Sequence, residues 1–417
     1  MLKCINLIVS FLLLINNYKK SRLLSSSSMW IFCYALILVI YPLLSDDFFS
    51  NEQLIDEMTF VGLFSFFFGS YLAERIGLKI SVVENGNKQR LPDFKISLYC
   101  FIITSLISII FLYLQFGVSN IQQVIYGNLT SKRLILDGEG FSFALSLMLP
   151  IPFILCQWIV ADGKKERIIS LISLCLYSLE TLIFGFTRIF LVSSIVVLFI
   201  HGMRHKSKKY QLIISLIMVI LVFLCMFLMN FIRNFGISFD YELLIFYFQK
   251  NPLEGADFGA SYYWFNALLN YDDIYINPLV YLKPFFAWIP RSVWESKPEP
   301  LSLQILKSID PGLAATGYST AGNSCLGEGY AVLGIVGIFV YPFIWGIVCT
   351  KMDRKYQKVL VGKMQNNIGI LWYYFFTVFI IISCHRGDWS QYMTIVLWFF
   401  LLPAYLASLL NSKRKNE

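Results

Sequence analysis

The sequence predicts an all-α polytopic membrane protein with about eleven transmembrane helices and one large loop on the outer side. Three observations carry this prediction. Hydrophobic residues make up 57% of the 417 and charged residues 14%, with a mean hydropathy of +0.65. Soluble domains carry about a quarter charged residues. Apolar windows recur close to the length of about 20 residues that a helix needs to cross about 30 Å of hydrocarbon. Finally, the 97 residues from Arg233 to Gly329 form the only long stretch without that pattern.

In chain order the windows are 1–16, 29–44, 58–73, 96–116, 141–160, 168–187, 189–203, 211–232, 330–349, 367–385 and 393–411. The first is short and carries Lys3, which gives it some likeness to a signal peptide. However, the serines at 25–28 lead directly into the second window and no A-x-A-like site precedes them, so it is read as a membrane helix. Pro150 and Pro152 interrupt the fifth window and Pro342 the ninth. Their surroundings do not correspond, so no inverted or parallel repeat of the transporter kind is visible. The chain therefore reads as one membrane domain, 1–417, with the loop 233–329 inside it.

Basic residues resist translocation, so their placement orients the helices. One set of connections (NYKKSR, the 74–95 segment, GKKER, MRHKSKK, 350–366 and the final KRK) holds 23 of the 34 Lys and Arg residues. On the opposite side, SDDFFSNEQLIDE has none. The basic side is read as cytoplasmic, with the C-terminus inside and the 233–329 loop outside. An odd number of spans puts the N-terminus outside. The net charge of +8 thus follows topology and does not indicate a nucleic-acid partner.

The nine cysteines show no CxxC pair and mostly lie in apolar runs, where a thiol acts as a small hydrophobe. No metal-ligand spacing is evident, and no metal is expected. Cys325 and Cys384 both fall on the outer side, which leaves a bridge between them open. His201 and His205 belong to a cytoplasmic connection and read as solvated.

Ionisable residues in or beside spans are functional candidates, because an unpaired charge in lipid costs several kcal/mol. Arg188 lies in a tight outer turn, since residues 168–200 supply two crossings. Glu180 lies two helical turns earlier on nearly the same face, so a structural ion pair is the competing reading. The short segment SCHRGDWSQY places His385, Arg386 and Asp388 in a second outer turn, where a polar connector with an interfacial Trp389 is the bland alternative. Arg233 ends a span on the same side, and Arg291 lies in the loop. Arginine suits phosphate at such a boundary because its planar fork makes paired, charge-assisted hydrogen bonds and never deprotonates. The aromatic and amide-rich stretch Ala260 to Asn277, with Trp288 and Trp294 around Arg291, offers faces for sugars or simply an interfacial belt and a loop core.

The order of these features resembles the Wzy-type O-antigen and oligosaccharide repeat-unit polymerases. The likeness rests on Pro290, Arg291, Trp294, Lys297 and Pro298, then Ser319, Thr320, Gly327, Glu328, Tyr330 and Gly334, with GFTR ending at Arg188 and HRGD at 385–388. It covers the whole topology, while the local motifs occupy a small part of the chain. One departure is IFLV after the GFTR arginine, where small residues are expected.

The resemblance implies a glycosyltransferase of the bacterial inner membrane. It would move a glycan from one undecaprenyl pyrophosphate carrier to the sugar end of another lipid-linked repeat, at the periplasmic face, in lipopolysaccharide biosynthesis. No cofactor is implied, in keeping with the lack of a Walker A or Rossmann turn. A separate chain-length regulator is the implied protein partner, beside the lipid-linked glycans and membrane lipid. On this reading Arg188, Arg291 and Arg386 bind pyrophosphate, with Arg233 a lesser candidate. Glu328, His385 or Asp388 would accept the acceptor hydroxyl's proton, and Glu328 equally well pairs with an arginine. An O-antigen ligase, another lipid-linked glycosyltransferase and a lipid-linked oligosaccharide flippase are the rival readings. The long outer loop argues against the last.

Overall fold

The structure, a computed structural model, describes residues 1–20, 22–45, 49–76, 90–126, 148–184, 188–235, 241–250, 259–271, 274–286, 289, 293–315, 321–360 and 368–414. Every regular element among them is helical. The main helices are α1 (Leu2–Lys19), α2 (Ser26–Leu44), α3 (Glu52–Arg75), α4 (Phe94–Tyr126), α5 (Ile151–Val160), α6 (Lys164–Phe184), α7 (Arg188–Met203) and α8 (Lys208–Phe235). They continue with α9 (Tyr241–Lys250), α10 (Ala260–Leu268), α11 (Leu301–Ile309), α12 (Cys325–Leu333), α13 (Ile335–Leu360), α14 (Ile368–Arg386) and α15 (Trp389–Leu410).

Each of the eleven expected windows falls at least partly on a helix. Among the described residues, seven helices are long and apolar enough to cross a membrane: α1, α2, α4, α8, α13, α14 and α15. The apolar helix α5 and the apolar part of α7 are short. Charged turns begin or end α3 and α6.

The ninth window differs most from expectation. The structure divides it at Gly334, whose φ of +60° lies in the region that only glycine adopts freely. Ahead of the break is the separate helix α12, and the membrane helix α13 starts only at Ile335. Beyond the apolar stretch α13 runs on to Leu360 through residues expected as a loop, because a helix satisfies its own backbone without needing apolar side chains.

Helix starts are written in local chemistry. Ser25 accepts the Ser28 N–H at the head of α2, Ser324 accepts the Gly327 N–H at the head of α12, and Asp388 caps α15. Short π segments interrupt α2 at Leu36–Ile40, α14 at Phe376–Ile380 and α15 at Val396–Leu401.

Helices α3 and α13 form the most closely packed pair. Small residues let the backbones approach: a side chain at Gly69 would strike the Phe343 carbonyl, and one at Gly346 the Phe66 carbonyl. The Ser70 hydroxyl donates to the Gly346 carbonyl at 3.2 Å. Against this pair lie α2 and α14, whose Trp30, Tyr34, Tyr373, Tyr374, Phe375 and Phe379 are all buried. The α14 window is 78% buried, whereas those of α4 and α8 are 17% buried despite higher hydropathy. An apolar helix left that exposed is built for a lipid surround, and α14 for a protein one.

The carboxylate of Asp353 lies fully inside. Asp353 of α13 accepts from the backbone N–H groups of Ser26 and Ser27 at 2.8 and 3.0 Å, from both serine hydroxyls at 2.5 Å, and from the Tyr373 hydroxyl at 3.0 Å. It thereby satisfies the orphan donors at the head of α2. His201 corrects an expectation. It is buried rather than solvated, with Nδ1 2.9 Å from the Tyr374 hydroxyl, while His205 is exposed.

Candidate functional site

The turn between α14 and α15 meets the segment that precedes α13. Asp388 anchors the meeting. One carboxylate oxygen accepts from Ser390 N at 3.0 Å, from Gln391 N at 3.2 Å and from the Ser390 hydroxyl. The other accepts from Leu301 N at 2.7 Å. At Gly322 the chain passes so close that a Cβ would lie 2.7 Å from the Arg386 carbonyl. Further ties are Ile276 N to the Ala331 carbonyl at 2.9 Å and Trp398 Nε1 to the Pro284 carbonyl at 2.7 Å. Tyr281 stacks on Trp389 with centroids 5.4 Å apart.

Glu328 sits within this contact, 1% exposed. The Tyr341 hydroxyl donates to its Oε2 at 2.5 Å, and the backbone of Trp389 approaches the same carboxyl. Burial, and after it the nearby Asp388 carboxylate, push the Glu328 carboxyl well above its ordinary range, with the Tyr341 bond opposing. Such a group holds its proton where an ordinary carboxyl has released it, and serves as a base only once that proton is lost. Its burial keeps it from solvent and from any hydroxyl that does not enter the contact.

His385 is fully buried, its ring against the edges of Trp30 and Tyr34 with centroids 4.9 and 5.7 Å away. Neither ring nitrogen has an oxygen or nitrogen partner among the described residues, and the Cys325 thiol is its polar neighbour. The Sγ atoms of Cys325 and Cys384 and a ring nitrogen of His385 lie within 4.8 Å of one another, and both thiols are free. These are the residues here able to hold a metal.

The structure thus brings Glu328, His385, Arg386 and Asp388 to one place. Asp388 acts there as a cap and a cross-tie, with its oxygens engaged by N–H and O–H donors. Arg386 is partly exposed at the rim of the contact. Arg188 opens α7 and Arg233 lies in the last turns of α8, but the side chains of both are outside the described residues. So are Pro290, Arg291, Trp288, Ser319 and Thr320. Glu180 Oε1 is buried with no partner among the described residues.

The aromatic stretch divides between its two readings. Tyr262, Phe265 and Leu268 of α10 are buried in the core, while Tyr263 and Tyr275 are 57% and 72% exposed. Asn266 and Asn270 accept from Asn51 N and Asn51 Nδ2 at 3.0 and 2.8 Å, tying α10 to the connection ahead of α3. Trp294 meets Phe286 edge-on and Lys297 Nζ donates to the Ile289 carbonyl at 2.9 Å. The cavity they line is about 70 Å³, below the range of about 300–1,000 Å³ typical of ligand pockets.

Sequence reasoning missed Tyr341, Trp30 and Tyr34, which lie in apolar spans with nothing to mark them. It also missed the thiol and imidazole cluster. Two faint signals existed: the Cys384–His385 doublet, and the three-residue spacing that puts Cys325 and Glu328 on one helical face.

No family model matches the chain, and no curated protein or solved structure matches it.

Proposed function

We propose that the protein is a glycosyltransferase that joins undecaprenyl-pyrophosphate-linked oligosaccharide repeat units into O-antigen or a related surface polysaccharide. It works at the periplasmic face of the bacterial inner membrane, within an eleven-span topology whose 233–329 loop is periplasmic and whose C-terminus is cytoplasmic. One observation supports this reading above others. Two of the stretches that carry the resemblance, Gly327 to Gly334 and His385 to Asp388, are remote in sequence yet adjacent in space: Glu328 lies beside the Asp388 carboxylate, and Cys325 just ahead of it approaches His385.

The chemistry follows from the substrate. As the glycosidic bond to the lipid pyrophosphate breaks, negative charge grows on the leaving group, and fixed cations act where that charge grows. Arg188, Arg291 and Arg386 take that task, with Arg233 behind them. A base for the acceptor hydroxyl is typically worth about 10²–10⁴-fold in rate. Glu328 and His385 are the candidates, and the cap role of Asp388 makes it the weakest of the three. The lipid pyrophosphate supplies the driving force, so no nucleotide is needed outside the cytoplasm.

Deleting the gene in its host and examining the lipopolysaccharide ladder tests the proposal. A single repeat on core supports a polymerase. Core alone favours a ligase or flippase, and an unchanged ladder overturns all three readings. Arg188→Ala and Arg291→Ala are expected to abolish the ladder at normal protein level. A normal ladder in both removes the pyrophosphate role.

A further inference from the structure

We propose that Cys325, Cys384 and His385 bind one zinc(II) ion, clamping the head of α12 to the end of α14. The inference rests on the fold alone and not on the polymerase reading; with His385 a ligand, Glu328 is left as the base candidate of that reading.

Three donor atoms within 4.8 Å of one another are close to a coordination shell. Bonds of about 2.3 Å to sulfur and about 2.0–2.1 Å to imidazole nitrogen put tetrahedral ligands about 3.5–3.8 Å apart. Small side-chain rotations close that difference, since Cys325 stands at the start of one helix and Cys384 and His385 in the last turn of another.

His385 supplies the independent observation. It is completely buried, neither ring nitrogen has an oxygen or nitrogen partner among the described residues, and the polar neighbour it does meet is the Cys325 thiol. Buried imidazoles ordinarily spend at least one nitrogen on a donor or acceptor. Trp30 and Tyr34 fix the plane of this ring from its edges, so its orientation does not depend on such a bond. The ring is positioned and faces two thiols that form no disulfide.

Donor softness and charge select the ion. Two sulfurs and one nitrogen exclude calcium and magnesium, which take oxygen ligands. Two thiolates and a neutral imidazole around a divalent ion sum to zero charge. Copper(I) in the same shell leaves a net negative charge, which a fully buried site disfavours. Binding releases two protons, one from each thiol, as two sulfur–zinc bonds and one nitrogen–zinc bond form. Three protein ligands leave the fourth position to a water.

The test uses the full-length protein purified in detergent without chelator, exposed to zinc chloride and washed. Elemental analysis is expected to find one zinc per chain. Cys325→Ser, Cys384→Ser and His385→Gln are each expected to lose most of it, while Cys156→Ser, a buried thiol elsewhere, keeps it. Cobalt(II) added to the unaltered protein is expected to give a sulfur-to-metal charge-transfer band, which reports the site even if a variant fails to fold. Substoichiometric zinc in the unaltered protein overturns the proposal. So does the absence of the cobalt band, or a Cys325–Cys384 disulfide found by mass spectrometry of protein prepared without oxidant.

Discussion

The backbone N–H of Leu301 donates to Asp388 Oδ2 at 2.7 Å, while the other oxygen of the same carboxylate caps α15. One side chain therefore starts α15 and holds the segment at Leu301 against it.

Asp388→Ala removes both tasks. A lost N-cap costs about 1 kcal/mol and a stranded buried N–H about 1–3 kcal/mol. A destabilisation of about 2–4 kcal/mol is expected, read by thermal unfolding in detergent, with faster proteolysis around Leu301. Asp388→Asn keeps an acceptor and is expected to fall between. If Asp388 were instead the base, Asp388→Asn would lose activity at unaltered stability.

Glu328 makes stability depend on pH. Its folded carboxyl titrates above the unfolded one, so the native state holds a proton that the unfolded chain has released. Stability is expected to fall as pH rises from the ordinary carboxyl range toward the raised folded value. Glu328→Gln keeps an acceptor for Tyr341 and cannot ionise, so its unfolding curve is expected to be flat over that window. Equal slopes for the two proteins would remove the account of Glu328 as a buried, proton-holding carboxyl.

Glu74 runs the opposite way. Partial burial alone would raise its carboxyl, but the bonds from Lys20 and Arg22 at 2.9 and 2.7 Å outweigh it and hold the carboxyl below its usual range. Its contribution is present above the unfolded carboxyl value and lost as pH falls through the folded one. Glu74→Gln is expected to cost no more than about 1 kcal/mol at neutral pH, because the group is partly exposed. The difference should vanish in acid, which melting of the two proteins side by side would show.

Gly337 tests the hairpin of α12 and α13. A Cβ there runs into the Gly329 backbone, which cannot rotate away as a side chain would. Gly337→Ala is expected to destabilise by about 1–3 kcal/mol. Gly202, in α7 with nothing within 4 Å, is the control. Gly202→Ala is expected to be neutral or stabilising by up to about 1 kcal/mol. Equal melting temperatures for the two variants would show that the α12–α13 approach is looser than described.

How far the site was legible depended on the kind of signal. The turn at His385, Arg386 and Asp388 stood out because polar residues between apolar runs are conspicuous in one dimension. Glu328 stood out as a carboxylate beside a span. Tyr341 and Trp30 did not, because an aromatic in an apolar helix looks the same whether it faces lipid or a carboxylate. Asp353 was taken for part of a cytoplasmic loop, since nothing local announces that it caps a helix more than 300 residues earlier.

The sequence by itself determined that the chain is helical and membrane-embedded, and where its helices broadly lie. Those properties follow from apolar length and from caps such as Ser25, Ser324 and Asp388, which act within a turn or two. Only the tertiary structure decided which apolar helices are central, that Gly334 divides the ninth window, and that Cys325 meets Cys384 and His385. Such meetings depend on backbone approach between segments distant in the chain, permitted by glycines such as Gly69, Gly322 and Gly346. A linear pattern of hydropathy does not encode which helix a given face will meet.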